Sequence, residues 1–94
     1  MLFYVEYGCT CEHVAQVVEA DSLERVQEAA QAWAYESYWS YDIQPDPEEF
    51  ESNEEWVDAC EEDCEYNVFW LVETYDSSNE LHMDVKEENG IYEI

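Results

Sequence analysis

Basic side chains are almost missing from this sequence: Arg25 and Lys86 stand against 26 Asp and Glu in 94 residues, a formal net charge of −24. A field of that sign repels phosphate, so direct binding to DNA, RNA or an anionic membrane is excluded, and a partner selected by charge must be basic. Glycine and proline are scarce as well, two of each. That leaves no phosphate-cradling glycine loop, no flexible linker and no low-complexity tract. No GxSxG or HExxH occurs, and the two histidines, His13 and His82, are far apart in sequence. Nothing selects a nucleophile and its base, and no enzymatic activity is expected. The longest apolar run, Val68 to Val72, falls far short of the roughly 20 residues that span a bilayer, and no basic segment precedes a hydrophobic one near Met1. The expectation is a soluble, unprocessed cytoplasmic protein.

What the chain does contain is core material. Hydrophobic residues make up 47% and aromatics 16%, with four Trp and eight Tyr, far more than a disordered acidic tail carries. A chain of 94 residues closes one modest core, so residues 1–94 are expected to form a single domain with no lidded cavity.

The acid is concentrated. From Asp42 to Glu65 the chain reads DIQPDPEEFESNEEWVDACEEDCE, in which 12 of 24 residues are acidic and none is basic. As a continuous helix this acidic helical segment, 42–65, would be about 36 Å long with one carboxylate per about 3 Å, close to the roughly 3.4 Å spacing of phosphates along one DNA strand. Like-charged pairs at i,i+4 (Glu51 with Glu55, Glu54 with Asp58, Asp58 with Glu62, Glu61 with Glu65) would each cost about 0.2–0.5 kcal/mol. A chain selected for stability alone would carry lysines there. Over the whole molecule, 24 negative charges match those of about 41 Å of duplex, whereas a compact domain of this length is about 32 Å across.

Local patterns give a fold class. Leu2 to Tyr7 and His13 to Ala20 have strand composition and, with a break at Gly8 and a turn to Cys11, suggest an opening hairpin. Asp21 with Glu24 has the form of a capping box, followed by Leu23, Val26, Ala30, Trp33 and Ser37 at helical spacing to about Tyr41. The end of that helix, WAYESYWSY, packs five aromatics into nine residues, so some of Tyr35, Tyr38, Trp39 and Tyr41 should reach the surface. Half-exposed Tyr and Trp serve interfaces, but the commoner role of such a cluster is to fill the core under the acidic segment. Asp46, Pro47 and Glu49 make a helix start, and Ser52 with Glu55 makes another, which predicts one turn and then a helix from Asn53 to about Cys64 with Trp56, Val57, Cys60 and Cys64 on its inner face. Tyr66 to Tyr75 reads as a strand; Leu81, Met83 and Val85 alternate as a fourth; Asn89-Gly90 reads as a hairpin into a fifth, Ile91 to Ile94. The expected fold is α+β, in the sequence order β-β-α-α-β-β-β, an antiparallel sheet with two helices on one face.

Cys9, Cys11, Cys60 and Cys64 would suffice for a tetrahedral zinc site, but CxC with CxxxC lacks the short-knuckle spacing of zinc modules. Cys60 and Cys64 read more simply as small apolar residues, in thiol form because nearby carboxylates disfavour a thiolate. No cofactor or resident metal is expected, and the acidic stretch lacks the spacing and central glycine of a calcium loop.

In size, charge and lack of catalytic motifs the chain resembles the small acidic bacteriophage inhibitors that imitate DNA, among them many anti-CRISPR and antirestriction proteins. The likeness is one of bulk properties along the whole chain, and these inhibitors share no common fold, so it implies a mechanism rather than residue roles. An acidic face would occupy the basic groove of a defence nuclease or CRISPR effector in the cytoplasm of the host bacterial cell. The candidate contacts are Asp46, Glu48, Glu49, Glu51, Glu54, Glu55, Asp58, Glu61 and Glu62, with Tyr38 and Trp39 from the aromatic cluster. A small metal-binding or adaptor domain, acidic for solubility alone, is the alternative.

Overall fold

In a computed structural model that describes residues Met1–Ile94, strands β1 (Leu2–Cys9) and β2 (Glu12–Glu19) form a hairpin closed by Thr10 and Cys11. Gly8 does not end the first strand. It pairs with His13, and a Cβ there would lie 1.9 Å from the Glu12 carbonyl oxygen, so the tight approach of the two backbones requires glycine. The register sets Phe3 beside Val18 and Tyr4 beside Val17. Because side chains alternate across a strand, both faces of the hairpin are apolar and each needs a cover.

Helix α1 (Leu23–Ser40) covers the first face, where Val26 and Ala30 pack with Phe3, Val5, Val18 and Ala20. Its cap is Ser22, whose hydroxyl accepts from the Arg25 N–H at 3.3 Å, so Asp21 stays outside the helix. Acidic segment 42–65 does not form one rod: a single 3-10 turn, Pro47–Glu49, is capped by Asp46, and helix α2 (Asn53–Asn67) is capped by Ser52, both starts as predicted. Gln44 Nε2 donates to the Tyr38 carbonyl at 2.8 Å and Trp56 Nε1 to the Pro45 carbonyl at 2.7 Å, which pins the intervening loop to both helices. α2 runs through Tyr66 and Asn67, which were expected in a strand, and packs against α1 rather than on the sheet.

Strand β3 (Phe69–Thr74) then pairs antiparallel with β1 alone and leaves its outer edge open. Two sequence expectations fail beyond it. Leu81, Met83 and Val85 lie in helix α3 (Glu80–Asn89), where the buried pair is His82 and Val85, at i,i+3, while Leu81 and Met83 are 53% and 39% exposed. Asn89-Gly90 is no hairpin turn; Gly90, at φ 72°, caps α3 and donates its N–H to the Lys86 carbonyl. α3 crosses the second face of the hairpin, so that β4 (Ile91–Glu93) arrives parallel to β2 on the far edge, a pairing that a two-residue turn cannot make. The architecture is α+β, with a mixed four-stranded sheet in the order β3-β1-β2-β4 and three helices on both faces and one end, rather than five antiparallel strands with two helices on one face.

α3 is held by aromatic stacking. His82 lies 4.2 Å from the Tyr4 ring at 15°, accepts the Asp76 N–H at Nδ1 and therefore donates from Nε2 to Glu73 at 3.1 Å. Tyr4, Val17 and Val85 form the small core beneath.

The body measures 53 × 23 × 17 Å with a radius of gyration of 15.9 Å, against about 12 Å for a compact domain of this length. α2 reaches the sheet at the Cys9 end of β1, where Cys64 and Tyr38 pack with Cys9. The second half of α1 also lies on the sheet, with Trp33 against Tyr7 and Tyr92 and Tyr35 against Trp70. The chain is much longer than the roughly 32 Å globule its residue count suggested.

Candidate acidic and aromatic interface

Six carboxylates of α2 share one side. At 100° per residue, Glu54, Glu55, Asp58, Glu61, Glu62 and Glu65 fall within an arc about 120° wide and along about 17 Å of axis, one per about 3.3 Å. All six are exposed, as are Asp46, Glu48, Glu49 and Glu51 in the preceding turn. The opposite side carries buried Cys60 and Cys64 and half-buried Trp56 and Val57, as the apolar spacing predicted. Asp63, in the same helix, is internal: it accepts from the Tyr38 hydroxyl at 2.8 Å and from Asn67 Nδ2 at 3.0 Å.

No cation offsets this charge. The carboxylates that meet a histidine are Glu6, beside His13, and Glu73, beside His82, both on the sheet side. Lys86 lies over the Tyr75 ring, 5.4 Å from its centroid. Spread over the 53 Å length, 24 net charges amount to one per about 2.2 Å, between the roughly 1.7 Å per charge of duplex DNA and 3.4 Å of one strand. Asp46 is partly engaged, since its Oδ1 accepts the Glu48 N–H at 3.0 Å.

The aromatic cluster divides sharply. Tyr38 is fully buried (0% exposed), in contact with Cys9 and Cys64, and cannot itself meet a partner; Trp39, 48% exposed, can. Burial, the hydrogen bond to Asp63 and that carboxylate's charge push the Tyr38 phenol well above its ordinary value. Tyr41 is exposed and donates to Glu12 Oε2 at 2.8 Å, while Ser37 donates to Glu12 Oε1 at 3.1 Å, so one carboxylate ties the end of α1 to the start of β2. Trp39 stands edge-on to both Tyr38 and Trp56, and Tyr35 edge-on to Trp70.

Between α1 and α2 lies a cleft of about 340 Å³, lined by Tyr35, Trp39, Glu61, Cys64 and Glu65. Tyr35 and Glu65 were not among the expected contacts. Their signal was present in the sequence, since Tyr35 with Trp39 and Glu61 with Glu65 are both i,i+4 pairs that share a helix face. What was missing was the pairing of the two helices.

The cysteines do not assemble a ligand set. Cys9 and Cys64 touch through the Tyr38 cluster, Cys60 is buried in α2, Cys11 is exposed in the hairpin turn, and no three ligating side chains converge anywhere. Burial, then Asp63, pushes the Cys60 thiol up; burial, Asp63, Glu65 and Cys9 do the same to Cys64. Both are thus held as thiols rather than the thiolates that bind metals or attack electrophiles. No helix is long and apolar enough to cross a membrane.

Comparison with protein-family models, with curated proteins and with solved structures finds no match to this chain.

Proposed function

We propose that this protein is a nucleic-acid mimic, phage-encoded, that inhibits a bacterial defence nuclease by occupying its basic nucleic-acid groove. A CRISPR effector is the first candidate and a restriction enzyme the second. The observation that carries the reading is the long acidic body without a single Lys or Arg ion pair. A solubility function would not need six carboxylates aligned on one helix side at phosphate-like spacing, since like charges at i,i+3 and i,i+4 reduce the stability of the helix that bears them. A groove lined with arginine and lysine converts that repulsion into attraction.

The test is a DNA-cleavage assay with guide-loaded CRISPR effectors and, in parallel, restriction enzymes. Inhibition should compete with added duplex DNA and weaken steeply between about 50 and 200 mM salt. Replacing Glu54, Glu55, Asp58, Glu61 and Glu62 pairwise by Gln or Asn should weaken it unevenly, by about 2–5 kcal/mol at a desolvated contact and a few tenths at the rim. Equal losses from Glu28, Glu80, Glu87 and Glu88 to Gln would reduce the effect to overall charge. Inhibition indifferent to salt and to DNA would remove mimicry as the mechanism.

A further inference from the structure

We infer that the cleft between α1 and α2 is a receptor for one arginine side chain of the basic partner; the identity of that partner rests on the mimic reading above, while the chemistry of the cleft does not. Two of its walls are rings, Tyr35 and Trp39, the latter half-exposed, and two are the carboxylates Glu61 and Glu65; buried Cys64 lies between. At about 340 Å³ the space is at the small end of ligand sites, enough for a side chain that enters end-on.

The lining selects by chemistry. Two carboxylates reject phosphate and carboxylate ligands. Aromatic faces do not ligate hard cations, and no third carboxylate, His or thiolate completes a metal shell. What remains is an organic cation with apolar or planar surface. A guanidinium meets every wall: it lies flat against Trp39 or Tyr35, is weakly hydrated and so loses little on entry, and presents forked N–H donors to carboxylates. An ammonium is a compact, strongly hydrated point charge without the planar stack. The chain's own cations do not compete, since Lys86 lies over Tyr75 on the far face of the sheet and Arg25 is 10 residues before Tyr35, about 15 Å along α1. Arginine is also the residue with which proteins grip phosphate and base edges, so a cleft of this kind would engage the side chains that nucleic acid otherwise occupies.

Two blocked tripeptides, N-acetyl-Gly-Arg-Gly-amide and its lysine counterpart, are titrated into the full chain at about 50 mM salt while the indole N–H resonances are followed, Trp39 being assigned by Trp39→Phe. Arginine should shift the Trp39 signal and bind about three- to fivefold more tightly than lysine, the ratio of a cation–π contact at a half-exposed ring. Glu61→Gln, Glu65→Gln and Tyr35→Leu should bring that ratio close to one, and Glu87→Gln, of the same charge change on α3, should leave it intact. Equal binding of both peptides, or shifts that spare Trp39, overturns the cleft as an arginine receptor and leaves the mimic reading standing. Selective arginine binding combined with uninhibited nucleases overturns the mimic reading and leaves the cleft assigned.

Discussion

Asp58 lies near the middle of α2 with acidic neighbours at every helical contact: Glu54 and Glu55 before it, Glu61 and Glu62 after it. All five are exposed and none reaches a cation. Like charges at these spacings cost about 0.2–0.5 kcal/mol apiece, so the four contacts place about 1–2 kcal/mol of repulsion on one side chain. Asp58→Asn removes that charge with almost no change of shape and nearly equal helix propensity. Asp58 also lies beyond the first turn, so no favourable interaction with the helix N-terminus is given up. The variant should be more stable by about 1–2 kcal/mol at low salt, an upper figure because neighbours do not add independently. For a domain of this size the melting temperature should rise about 4–8 °C per kcal/mol. In 1 M salt the screening length is about 3 Å, shorter than the roughly 5–6 Å between such Cβ atoms, and the gain should shrink to a few tenths. Urea unfolding followed by far-UV circular dichroism, at about 20 mM and 1 M salt, measures both. A variant no more stable than the parent at low salt, or one whose gain survives 1 M salt, refutes the electrostatic account of α2.

Gly8→Ala should destabilise by about 1–3 kcal/mol, since the new Cβ meets the Glu12 carbonyl oxygen and the hairpin must open to admit it; unchanged denaturant midpoints would contradict that geometry. Tyr38→Phe should cost about 1.5–3 kcal/mol, the worth of a hydrogen bond to a charged group, with the ring packing kept; a thermal melt matching the parent would show that Asn67 alone satisfies Asp63. Stability should also fall at alkaline pH. Burial, above all, pushes the Tyr4 phenol up to about 12 from 10.0, so it stays protonated in the folded chain while ionising in the unfolded one. The associated stabilisation, on the order of 2–3 kcal/mol, is complete below pH 10 and lost as pH climbs toward 12; Tyr4→Phe should flatten this decline, as read by unfolding midpoints between pH 8 and 11.5.

The sequence carried its clearest structural information where one local signal had no rival. Asp46, Pro47 and Ser52 predicted two helix starts correctly because cap chemistry depends on two or three adjacent residues. The α3 segment had rival signals: Leu81, Met83 and Val85 alternate like a strand, while Asn79, Glu80, Lys86 and Gly90 start and stop a helix. The helix prevails because Asn79 Oδ1 satisfies two N–H groups at once and because a parallel β4 needs a crossover. The hairpin's second apolar face, Tyr4 with Val17, was a legible reason to expect a helix there. At the candidate site, the charge of α2 could be read from spacing, as could the surfacing of some aromatics at the end of α1. Tyr38 could not be told from Trp39, since adjacent positions on a helix differ by 100° and only the placement of α2 decides which one is covered.

The open edge of β3 gives the acidity a second consequence. Phe69, Trp70 and Leu71 are each more than a third exposed on a strand whose outer backbone groups have no partner, the kind of border from which neighbouring copies can zip into fibrils. No proline, bulge or lysine guards it. Its protection is colloidal: two molecules of −24 must approach against each other's fields, across a screening layer that is about 8 Å thick at physiological salt and about 3 Å at 1 M. Brine, which relieves α2 of its internal repulsion, therefore also thins the coat that keeps one sheet from growing onto the next. Folding stability and shelf life should move in opposite directions as salt is added.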